Sequence, residues 1–562
     1  MPFIDNIKPQ LLVPLPCLAD NLPAEILTEV FSNIVTSNSY HYTAEVATQL
    51  EKEALVFRRA SQVSRFWRDV ALHQCKDIWG SIINVDTSSS AWVEELIARS
   101  GNSPLTIQSL PYRRGRNEDF YTKKWTSILA RMDRVKILHF ELRCQEDVSQ
   151  LMYATSNFHA PILESFRVGF GRRFGSEPSH NFFAFEGPLF DNHCPNLRDL
   201  VLTNVAFLQE SMDFSTIRLV HLDITPDCLS APPTVSQWLD VLETQPSLRY
   251  LTMDVHATFD AEIRLVFSRE VRLPNLQEFN IEAAGIEGAN IFASLILPSH
   301  CGIAIHIRED DETFDDLSFI ETFGESLSRC IKRWSKKGSA PNPELGSWGL
   351  EMDELYFVLR LGSKNDEWYN PRIQLRYNAL YCGEDDTQDV SPVLSRFISV
   401  IPKTGIIDAA SSCTLELQHS ISKNVGLMAL LLQCCSSITH LRLVGESLWF
   451  INGLLPEAGS GAVLFPTLNH VTFDRIYIQD SEFDLVYGYF QSFLRSISAT
   501  GRGIPATTLH IDMTFGMHAK FAEKAISSFG SKVQTFTHKG RFEELWAPKF
   551  WVGRDELRII DS

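Results

Sequence analysis

From Leu22 the apolar positions fall into a helical rhythm. Ile26, Leu27, Val30, Phe31 and Ile34 share one face, and Glu25, Thr28, Glu29, Ser32 and Asn33 the other, the spacing of an amphipathic helix. Pro23 suits the first turn, where its missing N–H costs nothing, and Glu25 lies near the positive end of the helix dipole. The polar stretch Thr36 to Thr43 precedes a second helical region, Ala44 to Arg59. A third runs through Ala60, Val63, Phe66, Trp67, Val70 and Ala71, with Arg58, Arg59, Arg65 and Arg68 on its other side. Ile78-Trp79-Gly80-Ser81-Ile82-Ile83 closes the block. The pattern predicts a small all-α domain over residues 19–85, behind an irregular, proline-containing tail at 1–18.

Beyond Asp86 the character changes. Ala91 to Arg99 is helical and stops at Ser100-Gly101, a C-cap signal; Pro104 then leads into a short strand, Leu105-Thr106-Ile107. The theme recurs as apolar-x-x-apolar-x-apolar: Val135, Leu138, Phe140; Leu163, Phe166, Val168; Leu197, Leu200, Leu202; Leu219, Leu222, Ile224; Leu248, Leu251, Met253; Leu276, Phe279, Ile281; then Ile438, Leu441, Leu443 and Leu468, Val471, Phe473, with a weaker version at Leu509 and Ile511. The first six starts lie 28, 34, 22, 29 and 28 residues apart, close to the roughly 20–29 of leucine-rich repeats. The last two apolar positions alternate along a strand and point inward, and each unit leaves a face open until a neighbour stacks on it. Val235 to Leu242 and Val425 to Leu432 would be helices on the convex side. No ladder of Asn or Cys follows the strands, so the repeats are degenerate. The rhythm breaks over 285–435, where a long helix is expected through Phe314, Leu317, Ile320, Phe323, Leu327, Ile331 and Trp334. GSAPNPELGSWG after it reads as a linker, and strands are expected at Leu355 to Leu361, Ile373 to Tyr377 and Leu415 to Leu417. The expected fold class is therefore α/β, a leucine-rich-repeat-like solenoid over 86–562 preceded by the small all-α domain.

Composition narrows the function classes. With 562 residues the chain is too long for one core. Its net charge of −18 makes it a poor general binder of nucleic acid. Eleven cysteines with no Cys-x-x-Cys argue for reduced thiols rather than a disulfide framework. The first twenty residues lack the pattern of a secretory signal. The longest apolar run, Val425 to Leu432, is far short of the roughly 20 residues that span a bilayer. A cytoplasmic or nuclear protein with no membrane partner is expected.

Two segments carry a family resemblance. LPAEILTEVF, Leu22 to Phe31, resembles the opening helix of the F-box, and VSRFWRDVA, Val63 to Ala71, resembles its second signature; Trp79 matches the tryptophan that often follows. The spacing departs from the family, with extra residues at about 36–53 that lengthen the loop between the helices. Downstream the likeness is to F-box proteins with degenerate leucine-rich repeats. That resemblance implies docking on the Skp-family adaptor, and through it cullin, of a Skp–cullin–F-box (SCF) ubiquitin ligase, with the repeat domain holding a protein substrate. By the same carry-over Leu22, Pro23, Ile26, Leu27, Val30, Phe31, Val63, Trp67 and Ala71 are the adaptor-binding candidates. They could equally be the core of a helical domain. A repeat scaffold that binds the adaptor without promoting ubiquitination is the alternative function.

No catalytic or cofactor motif is present: there is no Gly-x-Ser-x-Gly, no Walker loop and no His-Glu-x-x-His. A hydrolase or transferase reading therefore has no nucleophile motif to rest on, and no cofactor is expected. The Gly169 to Gly175 glycines have the wrong spacing for a dinucleotide loop. His193-Cys194 and His300-Cys301 lack partners at metal-ligand spacing, so no metal is expected. Cys434-Cys435 reads as buried helix, and the basic tract Arg329 to Lys337 as a solvated helix end. One charge pattern remains. The residue taken to follow the last apolar position of each strand is Glu141, Gly169, Thr203, Asp223, Asp254, Glu282, Val444, Asp474 or Asp512. Glu141, Asp223, Asp254, Glu282, Asp474 and Asp512 would stack as an acidic column along the sheet and favour a partner with a basic segment. Solvated strand ends in an acidic protein are the plainer account of the same residues.

Overall fold

The structure, a computed structural model, describes residues 22–35, 44–85, 88–109, 118–142, 145–170, 189–205, 213–225, 233–255, 269–298, 300–308 and 318–336, and beyond these chiefly the strands between 345 and 558. The chain divides into two compact units, Met1–Cys228 and Leu229–Ser562. It is an α/β protein in which most strand pairs are parallel.

The first unit opens with four helices, α1 (Ala24–Ile34), α2 (Ala44–Ala60), α3 (Arg65–His73) and α4 (Lys76–Ser81). Leu27 and Phe31 of α1 are buried. Ser64 caps α3, its side chain accepting from Trp67 N–H at 3.2 Å, so the serine of the VSRFWR segment is the residue that starts the helix. Aromatic rings bind the helices together: Phe31 meets Phe57 at 5.3 Å and Trp67 at 5.6 Å, and Phe57 meets Trp79 at 4.8 Å. The Trp79 indole N–H donates to the Ala71 carbonyl at 2.7 Å, satisfying the one polar atom of a buried ring. The helical pattern of Ala44 to Arg59 is α2, so residues 44–53 of the extra stretch are helix and not loop, and the helix delivers Phe57 to this core.

The six strands β1 (Ile83–Asn84), β2 (Leu105–Gln108), β3 (Val135–Leu142), β4 (Ser165–Phe170), β5 (Asp199–Thr203) and β6 (His221–Thr225) each pair in parallel with the next. Helices α5 (Ser90–Arg99), α6 (Glu118–Leu129) and α7 (Gln145–Asn157) intervene between the first four. The apolar motif residues, from Val135, Leu138 and Phe140 to Leu219, Leu222 and Ile224, are all buried. The helical block is not set apart from this sheet. α4 packs on β2, and a Cβ added to Gly80 would stand 2.4 Å from the Pro104 carbonyl oxygen, so only glycine permits that approach.

The second unit begins with α8 (Val235–Glu243), β7 (Tyr250–Val255), β8 (Val271–Arg272), β9 (Glu278–Ala284), α9 (Gly285–Ser294), β10 (Leu295–Ile296), β11 (Gly302–Arg308) and α10 (Ser318–Lys336). β7, β9 and β11 form a parallel run, and β8 pairs with β10. The repeat rhythm thus persists one strand past residue 285, through Ile303 and Ile305. Next comes a meander: β12 (Leu345–Met352), β13 (Tyr356–Ser363) and β14 (Ile373–Asn378) are antiparallel neighbours. β14 joins β11, while β12 joins β15 (Ser412–Leu417), both in parallel. The parallel series resumes as β16 (His440–Val444), β17 (His470–Asp474), β18 (His510–Thr514) and β19 (Thr535–Lys539), and β20 (Leu557–Arg558) closes it antiparallel to β19. Leu345 to Gly349, expected in a linker, belong to β12. The pairing shifts register between Leu345 and Ser347, placing Gly346 at an irregularity of the kind glycine marks in strands.

No asparagine ladder follows the strands, but an asparagine precedes one strand in each unit. Asn196 of Pro-Asn-Leu donates to the Pro161 carbonyl at 2.7 Å, and Asn275 of the next Pro-Asn-Leu to the Pro246 carbonyl at 2.9 Å. These two entry turns are thereby each tied to the turn before. Val425 to Leu432, Cys434-Cys435 and Gly171 to Gly175 lie outside the described residues.

Candidate functional site

The adaptor candidates separate cleanly by burial. Leu27, Phe31 and Ala71 are fully buried and form the core of the helical block. Leu22 and Trp67 are half-buried, Trp67 against Phe31. Pro23 is exposed, and so are Ile26 at 45%, Val30 at 41% and Val63 at 58%. Ile26 and Val30 are four apart on α1 and share one stripe; Leu22 precedes the helix. Among the described residues the exposed large hydrophobics are Ile26, Val30, Leu55, Val56, Val63 and Tyr153. All but Tyr153 lie in the helical block, so outward-facing apolar surface is concentrated there. Leu55 and Val56 of α2 were not anticipated, because a Glu- and Lys-rich helix reads as solvated.

The acidic column does not form as expected. In the register Glu141 pairs with Gly169, Gly169 with Thr203 and Thr203 with Thr225. Asp223 pairs with Val201, one rung earlier, because it lies between Leu222 and Ile224 rather than after Ile224. Asp512 is displaced in the same way: Ile511 pairs with Val471, so Met513 is the last apolar position and Asp512 faces Thr472, while Asp474 faces Thr514. Asp254 and Glu282 do stand side by side, with His306 next in register. Of the six, those two alone are register partners within a unit.

The face of the first sheet opposite its motif leucines carries a largely buried polar network instead. Asp199, with a side chain 5% exposed, accepts from Arg167 Nε at 2.7 Å, from Arg167 Nη2 at 3.2 Å, from His221 Nδ1 at 2.6 Å and from the Ser165 hydroxyl. Burial pushes its carboxyl up, but the hydrogen bonds from His221, Arg167 and Ser165 and the Arg167 charge outweigh that and hold it at about 2. Ser165 Oγ lies 3.1 Å from His139 Nε2. Since the Ser165 proton goes to Asp199, His139 Nε2 must donate. Burial, helped by the Arg167 charge, depresses the His139 imidazole to about 3, so it is neutral near pH 7. This is not a nucleophile triad. There the histidine stands between serine and carboxylate; here the serine does, and Ser165 is only 1% exposed. Asp223, one rung on, has a buried Oδ1 with no hydrogen-bond partner, and burial raises its carboxyl.

These network residues could have been found by aligning the repeats. Ser165, Asp199 and His221 precede the second apolar position, and His139, Arg167, Val201 and Asp223 lie between the second and third. Elsewhere the chemistry is quiet. Cys75, Cys194 and Cys301 are buried, and burial raises their thiols to about 11, 11 and 12, away from the thiolate that nucleophiles and metal ligands need. Among the described residues no three His, Cys, Asp or Glu side chains gather as a metal site, and no helix is long and apolar enough to cross a membrane. No family model matches the chain, and no curated protein is similar to it at a significant level.

Proposed function

We propose that this chain is an F-box substrate-recognition adaptor of an SCF ubiquitin ligase. The helical block docks on a Skp-family adaptor, and the stacked parallel strands form a degenerate leucine-rich-repeat-like solenoid that holds a protein substrate. The observation that carries the reading is the exposure of Pro23, Ile26, Val30 and Val63, in the two segments that resemble the F-box. Burying an Ile or Val side chain is worth roughly 1.5–3 kcal/mol, so such residues left outward on α1 favour a contact with another chain. Buried Leu27 and Phe31 support that stripe from beneath.

On the substrate side, Asp254 and Glu282 are adjacent carboxylates of the second unit. That pair favours a basic segment on the substrate. Ubiquitin transfer would fall to the partners. Affinity capture of the wild type against Leu22→Ala/Pro23→Ala tests the reading. The wild type should retain a Skp-family adaptor and the double variant should lose it; a wild type that retains none defeats the proposal. Co-capture of cullin separates the ligase subunit from the non-degradative scaffold.

A further inference from the structure

A cleft in the first unit is used by neither the docking surface nor the polar network. Residues of α2, the α4–β1 junction, β2 and the start of α5 enclose about 440 Å³, the open mouth included, within the roughly 300–1,000 Å³ of small-molecule sites. On α2 the lining residues are Leu50, Glu51, Ala54 and Arg58, whose spacing puts them on one side of the helix. Ile82 and Ile83 line it from the α4–β1 junction. The polar groups here are short of partners. Gln108 lines the cleft from β2, beside Asn84 in register, and is only 6% exposed. Its side-chain amide makes no hydrogen bond to any described residue. A buried amide carries a desolvation cost that only a partner offsets, and native structures leave few such groups without a reason. Two guanidinium groups lie over the Trp92 ring, Arg99 at 5.2 Å and Arg58 at 5.6 Å. Arg99 is paired with Glu95 at 2.7 Å. Arg58 donates only from Nε, to the Ala54 carbonyl at 3.3 Å, and meets no carboxylate among the described residues. Glu51 likewise meets no cation there, and the two do not pair with each other although both line the cleft.

We propose that this cleft binds a free aliphatic α-amino acid. The ligand carboxylate pairs with the Arg58 guanidinium, which offers a planar fork of donors. The ligand ammonium pairs with Glu51. The Gln108 amide, donor and acceptor at once, meets a remaining carboxylate lone pair or ammonium N–H. The aliphatic side chain lies on Leu50, Ala54, Ile82 and Ile83. Opposite charges in one small cleft select for a zwitterion: a plain carboxylate is repelled by Glu51, and a plain amine by Arg58. The site does not rest on the F-box reading.

The test titrates L-leucine and L-valine into the full chain near neutral pH by calorimetry. Isocaproate, which is leucine without its ammonium, and isoamylamine, which lacks the carboxylate, serve as truncated probes. The wild type should bind at least one of the two amino acids saturably at one equivalent, and both truncated probes at least roughly tenfold more weakly, the worth of one charge-assisted hydrogen bond. Arg58→Gln and Gln108→Leu should each weaken amino-acid binding by a similar factor. Glu51→Gln should weaken it too while admitting isocaproate more tightly than the wild type does, an exchange that a merely structural role would not produce. Thermal melts of the ligand-free variants that match the wild type establish that the lost affinity is a lost contact and not a lost fold; Glu51 lies half-buried on a helix surface, so its variant carries the test if Gln108→Leu fails to fold. Binding of neither amino acid, binding indifferent to both Arg58→Gln and Glu51→Gln, or a truncated probe bound as tightly as its parent would each overturn the site.

Discussion

The helical block and the face of the first sheet opposite its motif leucines treat the residues turned away from the core in opposite ways. In the block the core is filled by Leu27, Phe31, Phe57 and Trp79, and Ile26, Val30 and Val63 are left facing out. On the sheet every motif leucine is buried, and the opposite face carries Ser165, Arg167, Asp199 and His221 locked by hydrogen bonds. Exposed apolar residues call for a partner to cover them. A satisfied, largely buried polar network does not. On the docking reading proposed above, the block needs a partner to cover it and the sheet network does not.

The comparison can be broken first at the core. Trp79→Ala should destabilise the first unit by about 3–5 kcal/mol, measured by urea unfolding. Ile26→Ala or Val30→Ala should change stability by no more than about 0.5 kcal/mol. If the outward pair proved as costly as the core tryptophan, it would be packing and not docking surface.

The sheet network is probed by pH. His139 is held neutral in the fold at about 3, below its ordinary 6.5. The unfolded chain therefore takes up the proton first as pH falls. The contribution is complete above about 6.5 and is lost progressively down to about 3, roughly 3 kcal/mol by pH 4. Asp199, held at about 2 instead of 3.8, adds a second loss below about 3.8. His139→Gln should flatten the first phase and leave the second. An unchanged pH profile would remove His139 from the network.

Smaller effects sharpen the seam and the stacking. Gly80→Ala forces a Cβ against the Pro104 carbonyl and should cost about 1–3 kcal/mol, read as a lowered Tm. Asn196→Ala should cost about 1 kcal/mol, because one turn-to-turn hydrogen bond is lost.

Much of this architecture is legible in sequence because its period is plain. The expected helix at Ala91 to Arg99 is α5, that at Val235 to Leu242 is α8, and the long helix ending near Trp334 is α10. Tertiary context decided the rest. GSWG looks like loop, yet β12 lies between β13 and β15, and pairing on both sides outweighs glycine's poor strand preference. The β11 strand, Gly302 to Arg308, alternates cleanly but lacks the leucine template. The acidic column failed on register, since one misread position in Leu222-Asp223-Ile224 moves a carboxylate to another rung. Exposure of Ile26 against burial of Leu27 was open in sequence, because both lie on the apolar side of α1 and only packing against α2 and α3 decides between them.

The central claim, that the outward stripe of α1 is a docking surface, is tested most directly by titrating a purified Skp-family adaptor into the full chain and into Ile26→Asp/Val30→Asp. The account predicts saturable binding by the wild type and a loss of at least roughly 3 kcal/mol in the variant, as removal of central interface anchors entails, with urea unfolding unchanged. Equal binding by both proteins, or none by the wild type, would contradict it.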